Sequence, residues 1–190
     1  AREWLSAINT ELVRLNEMHS HVWLVGHSMG GALAIKQMLD DSSMVDGLIL
    51  LAPLIAVSDA RSPVLSARAW YEVTQKTLHF TEYVETYFPV DAYAKDVELL
   101  ELRDRFVPRA IYHEMFNVVD AVRGSAEKIE KPVQMFLSPR DKVVDSRRAA
   151  DFFEHIASPQ KELLYRQESG HVIPLDYGWE DVVYQMNTFI

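Results

Sequence analysis

The chain has 190 residues, 48% of them hydrophobic and 25% charged, and contains no cysteine. That length buries a stable single-domain core, with room for an insertion, and the near-average composition excludes a wholly disordered or fibrous chain. Acidic residues outnumber basic ones 28 to 19, giving a net charge of −9; such a surface repels phosphate backbones, so no nucleic-acid partner is expected. Without cysteine there is no disulfide, thiol nucleophile or Cys-ligated metal. No apolar run reaches the length of a membrane span, so no stable membrane insertion is expected. The first residues do not read as a signal peptide, but the chain opens Ala-Arg-Glu-Trp, without Met and already in helical pattern, so this says nothing about location.

In chain order, Trp4, Leu5, Ile8, Leu12 and Leu15 recur at helical spacing over 2–18. The run His21-Val-Trp-Leu-Val25 is too short for a core helix and reads as a buried strand ended by Gly26. Ala32, Leu33, Ile35 and Leu39 predict a helix from Gly30, and 45–52 predicts a second strand stopped by Pro53. Strand, helix, strand implies parallel pairing through a right-handed crossover. Residues 58–128 are aromatic-rich, punctuated by Pro63, Pro89 and Pro108, and read as an all-helical insertion in which Ile111, Met115, Val119 and Val122 form one apolar stripe. The alternation resumes with a strand at 132–138, a helix at 146–157, a strand at 161–167 and a closing helix near 178–190. The expected architecture is an α/β core of 1–57 and 129–190 with four parallel strands, carrying a helical cap over 58–128.

Gly26-His27-Ser28-Met29-Gly30-Gly31 fits Gly-x-Ser-x-Gly at a strand-to-helix turn. There the serine is forced into a strained backbone that lifts its hydroxyl out of the fold, and the flanking glycines are expected to be required because a Cβ would collide with the neighbouring strand or helix. The Met29 N–H then points where an oxyanion would form, at a helix N-terminus that favours negative charge. A serine nucleophile needs a base and a group to orient it. Asp141, just past the third strand, and His171, just past the fourth, stand in the order serine, acid, histidine. Asp145 rivals Asp141 as the acid, or caps the helix that Ser146 opens. His19 and His21 have no carboxylate cluster to suggest a metal, and His27 reads as packing or hydrogen-bonding near the turn. His79 and His155 carry no motif, and His113 is a weaker pocket candidate. Acyl transfer through serine needs neither cofactor nor metal, and none is expected.

With these segments the sequence resembles the α/β-hydrolase-fold serine hydrolases, most nearly the carboxylesterase and monoacylglycerol-lipase-like group. The resemblance rests on residues 26–31, Leu-Ile-Leu-Leu-Ala-Pro at 48–53, Asp-Lys-Val-Val at 141–144 and Ser-Gly-His-Val-Ile at 169–173. It implies Ser28 as nucleophile, Asp141 as acid, His171 as base and Met29 as an oxyanion donor, with 58–128 as the cap. The implied substrate is a small carboxylic ester of a short- to medium-chain acid, or a monoacylglycerol. Leu54, Ile55, Met115, Phe116 and Val172 are the expected lining of its apolar pocket. A thioesterase, amidase or C–C hydrolase would use the same three residues, and a non-catalytic module holding an apolar ligand is the alternative from another class. Family members place several strands, and the loop giving a second oxyanion donor, before the serine turn. Here that turn stands at residue 26, which leads us to expect a fragment, or a chain completed by another polypeptide or by a second copy of itself.

Overall fold

The computed structural model describes residues 1–61, 66, 68–69, 71–73, 82–85, 90–94 and 106–190. In chain order the longer elements are α1 (Arg2–Met18), β1 (Trp23–His27), α2 (Met29–Asp40), β2 (Gly47–Leu51), β3 (Tyr83–Glu85), β4 (Phe106–Pro108), α3 (Arg109–Val122), β5 (Val133–Leu137), α4 (Ser146–Glu154), β6 (Lys161–Tyr165) and α5 (Trp179–Phe189). Four strands form one parallel sheet in the order β1-β2-β5-β6. Trp23 lies opposite Gly47, Leu48 opposite Val133, and Val133 opposite Lys161.

Every residue of β2 and β5 is buried, as expected for central parallel strands covered on both faces. Their side chains alternate. Leu48, Leu50, Val133, Met135 and Leu137 face a core built with Leu12, Ile35, Phe152 and Phe153 from α1, α2 and α4. Ile49, Leu51 and Phe136 face the other side, where Ile173 and Val182 complete a smaller cluster against Trp23 and Met186. The period of two across a strand thus splits one apolar run between two layers. Trp23 also meets Phe189 of α5 edge-on, with ring centroids 5.9 Å apart. β1 is the edge strand beside β2, and Val25 at its centre is 51% exposed.

The boundaries differ from the sequence reading in one informative place. β1 runs through Gly26 to His27, because a glycine inside the strand is what lets α2 approach it. A Cβ on Gly26 would stand 2.5 Å from the Gly30 carbonyl oxygen and 2.6 Å from the Gly31 Cα.

The stretch 58–128 is not all-helical. β3 and β4 pair antiparallel, Val84 opposite Val107, as a two-stranded sheet apart from the main one. From this stretch α3 sends Val118, Val119 and Val122 into the same core cluster as α2 and β5. Residues 62–65, 67, 70, 74–81, 86–89 and 95–105, and with them His79, lie outside the described set. Among the described residues no helix is long and apolar enough to cross a membrane.

Candidate active site

Ser28 occupies the turn between β1 and α2 with φ 54° and ψ −122°, in the half of backbone space that side chains other than hydrogen avoid. Four hydrogen bonds hold it there. Its N–H donates to the Leu51 carbonyl at 3.0 Å, and its own carbonyl accepts from Gly31 at 3.0 Å, Ala32 at 3.4 Å and Leu54 at 2.9 Å. The turn is therefore tied to the end of β2 and to the first turn of α2 at once. Gly31 is required as well as Gly26, since its Cβ would meet Pro53 at 2.8 Å. The expectation of a collision fails at Gly30: nothing lies within 4 Å of a Cβ there, so that glycine of the motif faces open space.

Asp141 and His171 reach this serine from the loops after β5 and β6. The Ser28 hydroxyl stands 2.8 Å from His171 Nε2, and His171 Nδ1 stands 2.8 Å from Asp141 Oδ2. The second oxygen of Asp141 accepts the N–H groups of Val143 at 2.7 Å and Val144 at 2.8 Å. Both lone-pair faces of the carboxylate are thus engaged, and its side chain is fully buried. An acceptor-only group at Nδ1 selects the imidazole tautomer protonated there, which leaves Nε2 to accept the serine proton. Asp145 takes the other role left open for it: its Oδ1 accepts from Arg147 and Arg148, each at 3.1 Å, as the N-cap of α4. The loops that carry Asp141 and His171 are also fastened to each other, Ser138 Oγ donating to the Ser169 carbonyl at 2.5 Å. Met29 opens α2, so its N–H is among those a helix leaves without an intrahelical acceptor.

His27 lies directly behind His171. Its Nε2–H donates to the His171 backbone carbonyl at 2.9 Å, and the two rings stand 4.9 Å apart. Burial lowers its pKa below the ordinary 6.5, outweighing the bond to the His171 carbonyl, which raises it. A neutral His27 thus supports the backbone of His171 without placing a second positive charge beside its ring. Among the described residues the other histidines stand apart. His21 is largely exposed near Asp46, His113 meets the Tyr71 hydroxyl at 2.7 Å, and His155 bonds the Asp151 carbonyl within its own helix. Among the described residues no cluster of histidine, aspartate or glutamate could hold a metal ion.

The expected pocket residues divide. Ile55 and Phe116 border an open cavity of about 780 Å³ that also reaches Val119, Arg68 and Phe152, but Ser28, Asp141 and His171 are not among its walls. Leu54 and Met115 pack into or against the main core cluster. Val172 is half-buried, with its N–H donated to the Asp91 carbonyl at 3.2 Å. Two buried carboxylates that the sequence reading passed over, Asp91 and Asp176, bond the loops that carry Asp141 and His171. Nothing in their local sequence marks them, because the bonds that tie Asp91 to Lys142, and Asp176 to Tyr93 and Ala94, span 51 to 83 residues of chain.

A parallel sheet with a serine at a strained strand-to-helix turn, joined through histidine to a buried aspartate, has the architecture of the α/β-hydrolase fold. Solved structures agree. The chain superposes on a metagenome-derived lipolytic enzyme described with LipS and LipT at a TM-score of 0.84 with 20% identity, covering 99% of this chain and 72% of that one. It superposes on the Paleococcus ferrophilus monoacylglycerol lipase at 0.77 with 16% identity, covering 98% and 72%. At these identities the likeness defines the fold. Residues 5–177 match the family described as Serine aminopeptidase, S33, and the chain belongs to that family. In sequence it is 24% identical to the Rattus norvegicus monoglyceride lipase over 200 residues, covering all of this chain and 64% of the rat protein. The chain spans less than two thirds of the length of the curated relatives it matches first.

Proposed function

We propose that the protein is a serine hydrolase of carboxylic esters, acting on short- to medium-chain acyl esters or monoacylglycerols through an acyl-enzyme on Ser28. The observation that carries this reading is the continuous chain of 2.8 Å contacts from Ser28 Oγ through His171 to Asp141. Ser28 Oγ attacks the ester carbonyl carbon as His171 Nε2 takes its proton, and Asp141 stabilises the imidazolium that forms. The tetrahedral oxyanion accepts a hydrogen bond from the Met29 N–H, at the positive end of α2. When the intermediate collapses, the C–O bond to the alcohol breaks and His171 returns the proton to the departing oxygen. Water then repeats the sequence on the acyl-enzyme, releasing the carboxylic acid and restoring Ser28.

An ester, rather than the amide in the family's description, is favoured because several relatives carry names of monoglyceride and monoacylglycerol lipases. Thioester, amide or C–C bond cleavage would use the same three groups, and a substrate panel separates them. The test is hydrolysis of a p-nitrophenyl ester by the whole protein that carries these residues. Ser28→Ala is expected to abolish turnover with the thermal transition unchanged; undiminished turnover in that variant would sink the assignment.

A further inference from the structure

The segment 90–94 comes from the stretch between β2 and β5, yet it is bonded to the two loops that hold Asp141 and His171. Asp91 meets both loops. Its Oδ2 accepts the N–H of Lys142, next to Asp141, at 2.8 Å, and its carbonyl accepts the N–H of Val172, next to His171, at 3.2 Å. Its backbone also lies so close to Gly170 that a Cβ there would stand 2.5 Å from the Asp91 carbonyl oxygen.

Asp176 completes the arrangement from the other side. Its Oδ2 accepts the Gly170 N–H at 2.7 Å, and its Oδ1 accepts Ala94 at 2.8 Å and Tyr177 at 2.9 Å. Tyr93 donates to both oxygens at 3.0 Å. The residue is 1% exposed. Burial pushes its carboxyl up, but the N–H groups of Gly170, Tyr93, Tyr177 and Ala94 outweigh burial and leave its pKa below 3.8. Arg140 and Lys142, at 5.7 and 6.0 Å from the Tyr93 ring, close the acid loop over the same segment.

Hydrogen bonds to an ionised acceptor are the strong ones, and a buried carboxylate cannot give up four donors without leaving them unsatisfied. We infer that Asp176, together with Asp91, is a positioning residue. The two carboxylates make segment 90–94 a brace that fixes the Gly170-His171-Val172 turn relative to the Asp141 loop. The inference rests on the reading of Ser28, His171 and Asp141 as the reacting groups. A brace of this kind sets the placement of the base, so its loss acts on turnover more than on substrate affinity; a misplacement of about 1 Å costs on the order of a hundredfold in rate.

The experiment measures kcat and KM of the whole protein on a p-nitrophenyl ester for Asp176→Asn, Asp91→Ala and Ser28→Ala, with a thermal melt of each. The expected result is a ten- to hundredfold fall in kcat for Asp176→Asn, with KM within about threefold and a folded protein at the assay temperature. A parental kcat in folded Asp176→Asn overturns the inference, as does a loss of activity that follows the unfolded fraction. Should Asp176→Asn fail to fold, Asp91→Ala decides, since it removes the side-chain acceptor at Lys142 while keeping the Asp91 carbonyl at Val172. A fall in kcat at constant KM supports the brace there, and a parental kcat overturns it. Ser28→Ala separates the two readings: full turnover in that variant defeats the proposed function itself, whereas an inactive Ser28→Ala beside a fully active Asp176→Asn defeats the brace alone.

Discussion

Replacing Asp141 with asparagine tests the electrostatics of the site with almost no change of shape. The Asp141 oxygen that accepts Val143 and Val144 takes both N–H groups at 2.7–2.8 Å, so the amide oxygen must stay there to keep them satisfied. The amide nitrogen is then turned toward His171 Nδ1, 2.8 Å from the present oxygen. A donor facing Nδ1 forces the imidazole proton onto Nε2, the nitrogen that must accept the proton of Ser28. The base is thereby disabled by tautomer while the fold is retained. The same change in a serine protease of unrelated fold lowers kcat by about 10⁴, equivalent to about 5.4 kcal/mol in the barrier. We expect a loss of that order for Asp141→Asn, read as kcat on a p-nitrophenyl ester, alongside an unaltered circular dichroism spectrum. Asp145→Asn serves as the contrast. Its side chain caps α4, a role asparagine fills about as well as aspartate, so its kcat is expected to match the parent. A loss under tenfold in Asp141→Asn, or a larger loss in Asp145→Asn, would refute this assignment of the acid.

Gly26→Ala brings its Cβ within 2.5–2.7 Å of the backbone of Gly30 and Gly31 and is expected to prevent a native thermal transition. Gly30→Ala meets nothing within 4 Å and, lying inside α2, is expected to leave stability unchanged or raise it by up to about 1 kcal/mol. His27 has its folded pKa lowered from 6.5, so below pH 6.5 the unfolded chain binds a proton that the folded one refuses. Its contribution is therefore whole above pH 6.5 and is lost as the pH falls toward the folded value. Urea titrations between pH 8 and 5 should show this loss, and a smaller one in His27→Gln. Phe136 is fully buried in the smaller core cluster, and Phe136→Ala is expected to cost about 3–5 kcal/mol in urea unfolding.

The parallel sheet was legible because β2 is an uninterrupted apolar run and β5 one broken only by Gln134, both bounded by turn residues, the pattern of strands buried on both faces. That Ser28, Asp141 and His171 come together was legible for a related reason: each stands in a short segment just past a strand, and the ends of parallel strands meet at one edge of the sheet. Gly26 misled at the end of β1, since glycine is read as a stop and here admits the backbone of α2. β3 and β4 are three residues each, too short for alternation to stand out from a helical aromatic background. Asp91 and Asp176 could not be found at all. Their roles are set by backbone N–H groups up to 83 residues away in sequence, and such groups leave no trace in residue type.

Covalent capture by a fluorophosphonate probe asks directly whether Ser28 is the nucleophile. The whole protein is treated with the probe, digested with trypsin and analysed by tandem mass spectrometry. One adduct is expected, on Ser28 within the peptide Leu15–Lys36, with loss of esterase activity in step with labelling and greatly slowed labelling in His171→Ala. An unlabelled Ser28 in protein that still hydrolyses esters, or labelling at Ser20 of the same peptide instead, would contradict it.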